Sequence, residues 1–183
     1  MTRIASLLFA IFAYAVFFAT FLYLIAFVGN FPITPITVDR GPDSPIGVAI
    51  VLNLLAISVF GIQHSVMARP GFKKSWTRIV PPPIERSVYV LAASVALMIL
   101  FTLWRPIDTV IWDASATLLE FPLWLMFAAG WGIVLLSTFL INHFELFGLQ
   151  QAWFHLRGRQ AAPAELRQPF LYNWVAHPLY AGF

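Results

Sequence analysis

The sequence contains no cysteine. Disulfides, thiolate zinc sites and a cysteine nucleophile are therefore excluded. Charge is the second scarcity. The 183 residues carry 11 Lys+Arg and 8 Asp+Glu, or 10% charged, where a soluble domain carries about 25%. So few charges cannot coat a water-soluble globule of this size. Disorder is excluded as well, because it needs low hydrophobicity and high net charge. A formal net charge of +3 is too small to point to a nucleic acid, and none is expected as a partner.

What fills the chain instead is apolar: 60% of its residues are hydrophobic. Four runs stand out, at about residues 4–28, 46–67, 88–104 and 121–141. At about 1.5 Å per residue, a helix of roughly 20 residues crosses a hydrocarbon core of about 30 Å. The first run is longer than the apolar region of a signal peptide and lacks a clear small-residue cleavage site, so it reads as an uncleaved span. The sequence predicts an all-α fold, a polytopic transmembrane helix bundle forming one integral membrane domain over 1–183. After the fourth run, 142–157 reads as an interfacial or cytoplasmic helix. On a helical wheel Leu146, Leu149, Trp153 and Leu156 share one face, and His143, Gln150 and Arg157 recur every seven residues on another. A polar loop follows over 159–169. Residues 171–183 start like a fifth membrane segment but are too short to span. The expectation is a chain cut short at its C-terminus.

The few charges sort by side. With the N-terminus in the cytoplasm, Arg3, the five basic residues between the second and third runs, and Arg157, Arg159 and Arg167 all lie inside. Arg40 and Arg105 are then the basic residues outside, where five of the eight acids also fall. This is the positive-inside pattern. The basic pI thus reports membrane orientation, with the inner leaflet as the partner surface.

Polar groups within spans are functional candidates because lipid offers them no partner. Asn53 and His64 lie eleven residues apart on one face of the second span, Asn53 at mid-depth and His64 at the cytoplasmic end. Asn53 reads most simply as an interhelical hydrogen-bonding group. Trp76, Trp104, Trp112, Trp124 and Trp174 sit where an aromatic belt belongs. Ala15/Ala19, Ala92/Ala96 and Ala128/Gly132 have the spacing of close-packing positions. His64, His143, His155 and His177 all fall on the cytoplasmic side, but no spacing among them demands a haem or a metal, and none is expected.

The stretch "LYNWVAHPLYAGF" from Leu171 resembles the RHPxYxG signature of the isoprenylcysteine carboxyl methyltransferase-like superfamily of membrane enzymes. "FGIQHSVMARPGFKKSWTRIVPPPIERSVYVL" from Phe60 and "HFELFGLQQAWFHLRGR" from His143 bring the resemblance closer to the bacterial methanethiol S-methyltransferases. The resemblance implies an S-adenosylmethionine-dependent enzyme of the inner (plasma) membrane that methylates a small thiol, without a metal. It places Tyr172, His177, Pro178, Tyr180 and Gly182 at the cofactor. Ala176 stands where the signature usually has Arg, and the family's later acidic motif would lie beyond Phe183. A thiol must be ionised to attack, so His64 and His143 are the candidate bases, titrating near pH 6.5 when unperturbed. The residues leave open another thiol, an isoprenyl-cysteine or a lipid as substrate, or a non-catalytic accessory or transport protein.

Overall fold

A computed structural model describes residues 1–159 and 170–183; the polar loop expected at 159–169 falls, from 160 on, outside them. The described residues form helices and turns, with no strand among them. Four helices are long and apolar enough to cross a membrane: α1 (Arg3–Val28), α2 (Ile46–Met67), α4 (Pro82–Leu103) and α5 (Glu120–Ile141). Four shorter ones are α3 (Pro70–Trp76), α6 (His143–Leu146), α7 (Leu149–Leu156) and α8 (Pro178–Gly182). The chain divides into two compact units. The first is Met1–Asp108 with residues 147–159, and the second is Thr109–Leu146 with residues 170–183.

In the first unit α4 packs against α1, α2 and α7. Small side chains let these helices approach: Ser6, Ala10 and Ala13 on α1, Ala49 and Ala56 on α2, Ser87, Ser94 and Ala96 on α4. Ala15 and Ala19, expected at a contact, are exposed, as is Ala128; their spacing is right but their face is not the packed one. Phe27, Ala56, Leu100 and Phe101 form a core near the end of α1, with Tyr23, Phe60 and Trp104 against it. Large apolar residues such as Leu8, Val51, Leu54 and Ile62 point outward. In a membrane protein that surface meets lipid, where it costs nothing to expose.

Helix ends follow local chemistry. The Thr2 hydroxyl accepts from the Ala5 N–H at the start of α1 (3.2 Å). Asn30 ends that helix in the left-handed region (φ 52), a conformation asparagine tolerates. Residues 29–45 are then pinned down: Tyr23 donates to the Ile36 carbonyl (3.1 Å) and the Trp104 indole to the Val38 carbonyl (3.0 Å). Trp104 is therefore a packed tie rather than a free belt residue, whereas Trp112 and Trp174 are exposed. Asn53 lies level with the end of α4 rather than at mid-depth. Its amide donates to the Arg105 carbonyl and accepts from the Arg105 N–H, both at 2.8 Å.

Two expected boundaries move. The third span begins six residues early, at Pro82. Proline at the first helical positions loses no bond, because those N–H groups have no partner within the helix. The same first turn carries Glu85, which is buried and paired with Lys73 of α3 at 3.1 Å. The expected helix over 142–157 is two helices, α6 and α7, interrupted at Phe147 and Gly148, the glycine at φ 89. His143 and Leu146 thus do not share a wheel with Gln150, Trp153 and Arg157. The apolar run from 171 is likewise interrupted. A 3-10 turn spans Phe170–Asn173, and α8 starts at Pro178 after an extended His177, because the residue before a proline is pushed out of the helical region.

Candidate functional site

The candidate bases sit in different surroundings. His64, in the last turn of α2 in the first unit, is exposed. The Tyr89 hydroxyl of α4 lies 3.0 Å from its Nδ1 and 3.2 Å from its Nε2, and Phe60 stacks one turn back at 5.4 Å. The Arg86 guanidinium carbon stands 5.8 Å from the Tyr89 ring centre, within cation–π range. Lys73 is offset by Glu85, but Arg86 and the exposed Arg69, Lys74 and Arg78 leave an excess of positive charge at this end of the unit, which favours an anion there. Tyr89 and Arg86 were not legible as neighbours of His64, since they lie on another helix at no recognisable spacing.

His143, in the second unit, is buried at 4% exposure. Asn142 breaks α5 with extended backbone (φ 166) and so swings His143 back onto the last turn. There its ring lies parallel to Phe139 at 4.1 Å and edge-on to Phe144 at 5.6 Å. Its Nδ1 is 2.8 Å from the Thr138 hydroxyl. Asn142 and Glu145 cap α6 reciprocally, side-chain amide to carboxylate at 2.9 Å and backbone N–H to amide oxygen at 3.3 Å. Burial pushes the His143 pKa below its ordinary value of 6.5, so the ring is neutral at pH 7.

The cofactor candidates gather at the tail of the second unit. His177 and Tyr180 are exposed side chains with ring centres 5.2 Å apart. Tyr172 is half-buried, and that burial raises its phenol pKa, keeping it a hydrogen-bond donor. Pro178 and Gly182 have structural reasons of their own. Pro178 is buried as the first residue of α8. A Cβ on Gly182 would stand 2.7 Å from the Gly130 carbonyl oxygen of α5, and one on Gly130 would stand 2.5 Å from the Gly182 oxygen. The two backbones touch, which only glycine permits at this distance. Trp131 closes the contact edge-on against Phe183 at 5.5 Å. Among the described residues no group of three or more His, Asp or Glu is placed to hold a metal ion.

Along its whole length the chain is 49% identical to the methanethiol S-methyltransferase of Mycobacterium tuberculosis, over 183 residues that make up 75% of that relative. It belongs to the methanethiol S-methyltransferase family. A family member from Bradyrhizobium diazoefficiens is also 49% identical, over 181 residues covering 99% of this chain and 63% of the relative. The chain thus spans roughly two thirds to three quarters of the length of these family members. A more distant likeness, 27% identity over 146 residues, is to nurim of Rattus norvegicus, covering 75% of this chain and 55% of that protein. No protein-family model and no solved structure matches the chain. The resemblance read from three segments is thus carried by the entire chain, spans included.

Proposed function

We propose that this protein transfers the methyl group of S-adenosylmethionine to methanethiol, giving dimethyl sulfide, at the cytoplasmic face of the bacterial inner membrane. The observation that carries this reading is the 49% identity across all 183 residues to a relative of that name. Four membrane-type helices fit it, since a small apolar thiol partitions into lipid.

The tail suits the methyl donor by the chemistry of its groups. S-adenosylmethionine supplies an electrophilic methyl on a sulfonium. The exposed rings of His177 and Tyr180 offer faces for a purine or a cationic sulfur, and Tyr172 offers a hydroxyl donor for a carboxylate. Pro178 and Gly182 set the start and the seat of α8 and so hold those rings in place. His143 and His64 are the groups for the acceptor: either imidazole takes the proton of a thiol, and the basic surroundings of His64 favour the thiolate. Methyl transfer to a thiolate needs alignment and exclusion of water, and no metal enters.

Membranes bearing the full-length protein, given methanethiol and labelled S-adenosylmethionine, should form labelled dimethyl sulfide. Output no higher than an empty-vector control would overturn the reading, and a panel of other thiols and prenylated cysteines reads out the acceptor. His177→Ala should lower activity at least about tenfold, the loss of a binding contact of about 1.4 kcal/mol. Unchanged activity would remove His177 from the site.

A further inference from the structure

The first unit holds a cavity of about 410 Å³ between α1 and α4, within the size range of small-molecule sites, about 300–1,000 Å³. Thr20 and Tyr23 of α1 and Met98, Phe101 and Thr102 of α4 line it, with Ile36 of the 29–45 connection. Ala19 lines it too. Its spacing predicted a helix contact, yet it is exposed, and its methyl leaves open the space that a larger side chain would fill. Every hydroxyl of the wall spends its proton on a backbone carbonyl: Thr20 on Val16 (2.7 Å), Tyr23 on Ile36 (3.1 Å) and Thr102 on Ile99 (2.9 Å). No hydroxyl proton remains to hold a polar guest. The rest of the wall is methyl, methylene, thioether and ring surface, which holds water poorly, since a trapped water needs about two to four polar partners. An empty space would forfeit dispersion contacts all along the wall. The cavity opens where Ala19, Met98 and Thr102 are exposed. Beside them on the same two helices Phe18, Leu22, Val95 and Ile99 are exposed as well. The opening is therefore continuous with the surface that meets lipid.

We propose that this cavity is a binding site for one acyl chain of a bilayer phospholipid, in the leaflet on the side of the 29–45 connection. A lipid tail is as apolar as the wall, so the chain enters for packing contacts and not to escape water. The two arginines at this end are turned to backbone carbonyls, Arg40 to Asn30 and Phe31 and Arg105 to the last carbonyls of α4. The chain, and not the headgroup, therefore carries the binding. The site is independent of the methyl-transfer reading and stands or falls apart from it.

The test uses the full-length protein in phospholipid bilayers with a trace of phosphatidylethanolamine or phosphatidylglycerol that bears a diazirine on one acyl chain. Irradiation and peptide mapping read the contact. The reference is Ile57 of α2, which is exposed at a similar depth, since its neighbour Ala56 packs with Leu100. Labelling at Met98 should exceed that at Ile57 about fivefold, the occupancy gain from some ten added dispersion contacts. Ala19→Trp plugs the space and should bring Met98 down to the Ile57 level. Thr102→Val keeps the shape and loses a hydroxyl the guest does not use, so it should label as wild type does, and both headgroups should label alike. No excess at Met98 in wild type, or an excess that survives Ala19→Trp, overturns the site. Loss of labelling in Thr102→Val, or labelling with one headgroup alone, overturns the acyl chain as the group recognised. A disulfide-linked dimer formed by Ala19→Cys and not by wild type would seat a second copy on the cavity and overturn the proposal. If Ala19→Trp does not fold, Ala19→Leu narrows the same space by a smaller step and should lower the labelling part-way.

Discussion

Two polar residues in apolar surroundings behave alike at the residue scale: each is held by neighbours that satisfy it. Asn53 replaces the missing partners of a backbone unit just past α4, bonding both its N–H and its carbonyl. Asn53→Leu leaves both groups without that partner, at about 1–3 kcal/mol each. A clear drop in melting temperature in detergent is expected, with a smaller one for Asn53→Asp, which still accepts. His143 makes stability depend on pH. Its native pKa is lowered, so above about pH 6.5 the residue is neutral in both folded and unfolded chains. As pH falls below that value, the unfolded chain binds the proton first and the folded state loses stability. Between pH 7 and pH 5 the melting temperature of the wild type should fall further than that of His143→Gln, which does not titrate. Both residues were legible as polar groups where lipid offers none. Their partners were not, because Arg105 is 52 positions from Asn53, and the meeting of Thr138 with His143 needs a break at Asn142 that no propensity announces.

Hydrophobicity read α1, α2 and α5 to within a residue, because bilayer thickness sets their length. It misread α4 and the helix after α5 for two different reasons. Glu85 and Arg86 look like loop residues by polarity, yet Glu85 is buried against Lys73. Gly148 looks like a tolerated helix glycine, yet it takes φ 89 and lies against Ser87 of α4. A Cβ there would be 2.5 Å from the Ser87 Oγ and 2.8 Å from its backbone nitrogen. Gly148→Ala therefore meets both a backbone penalty of about 1–2 kcal/mol and a clash at the α4–α7 contact. It should abolish accumulation of folded protein, read by fluorescence-detected gel filtration. Gly47→Ala, where nothing lies within 4 Å of the added carbon, should be silent. In the tail, the touching glycines 130 and 182 give Gly182 a packing role alongside the binding role implied by family resemblance.

For the whole molecule, charge placement gives an orientation that composition alone could not. Read from the sequence with the N-terminus inside, nine of the 11 basic residues are expected on the cytoplasmic side. Because the chain has no cysteine, single introduced thiols report sidedness without background. Lys74→Cys should react with an impermeant maleimide only after the inner membrane is opened. Ile111→Cys, which replaces an exposed side chain between α4 and α5, should react in intact spheroplasts. The reverse pattern would invert the topology. The functional class was legible from three short segments, and the identity to the family runs through the whole chain.

Phe147 stacks on Phe17 at 4.0 Å and meets Tyr14 at 6.1 Å, and α7 just beyond it covers α1. This joins the first span to a segment made about 130 residues later. At roughly 5–20 residues per second of synthesis, α1 waits in the bilayer for about 6–26 s before that partner exists. Meanwhile its seam of Ser6, Ala10 and Ala13 depends on α4 or on lipid for cover. Biogenesis therefore has an order: insertion of α1 comes first, and Phe147 with α7 arrives afterwards as a latch that closes over the middle of α1.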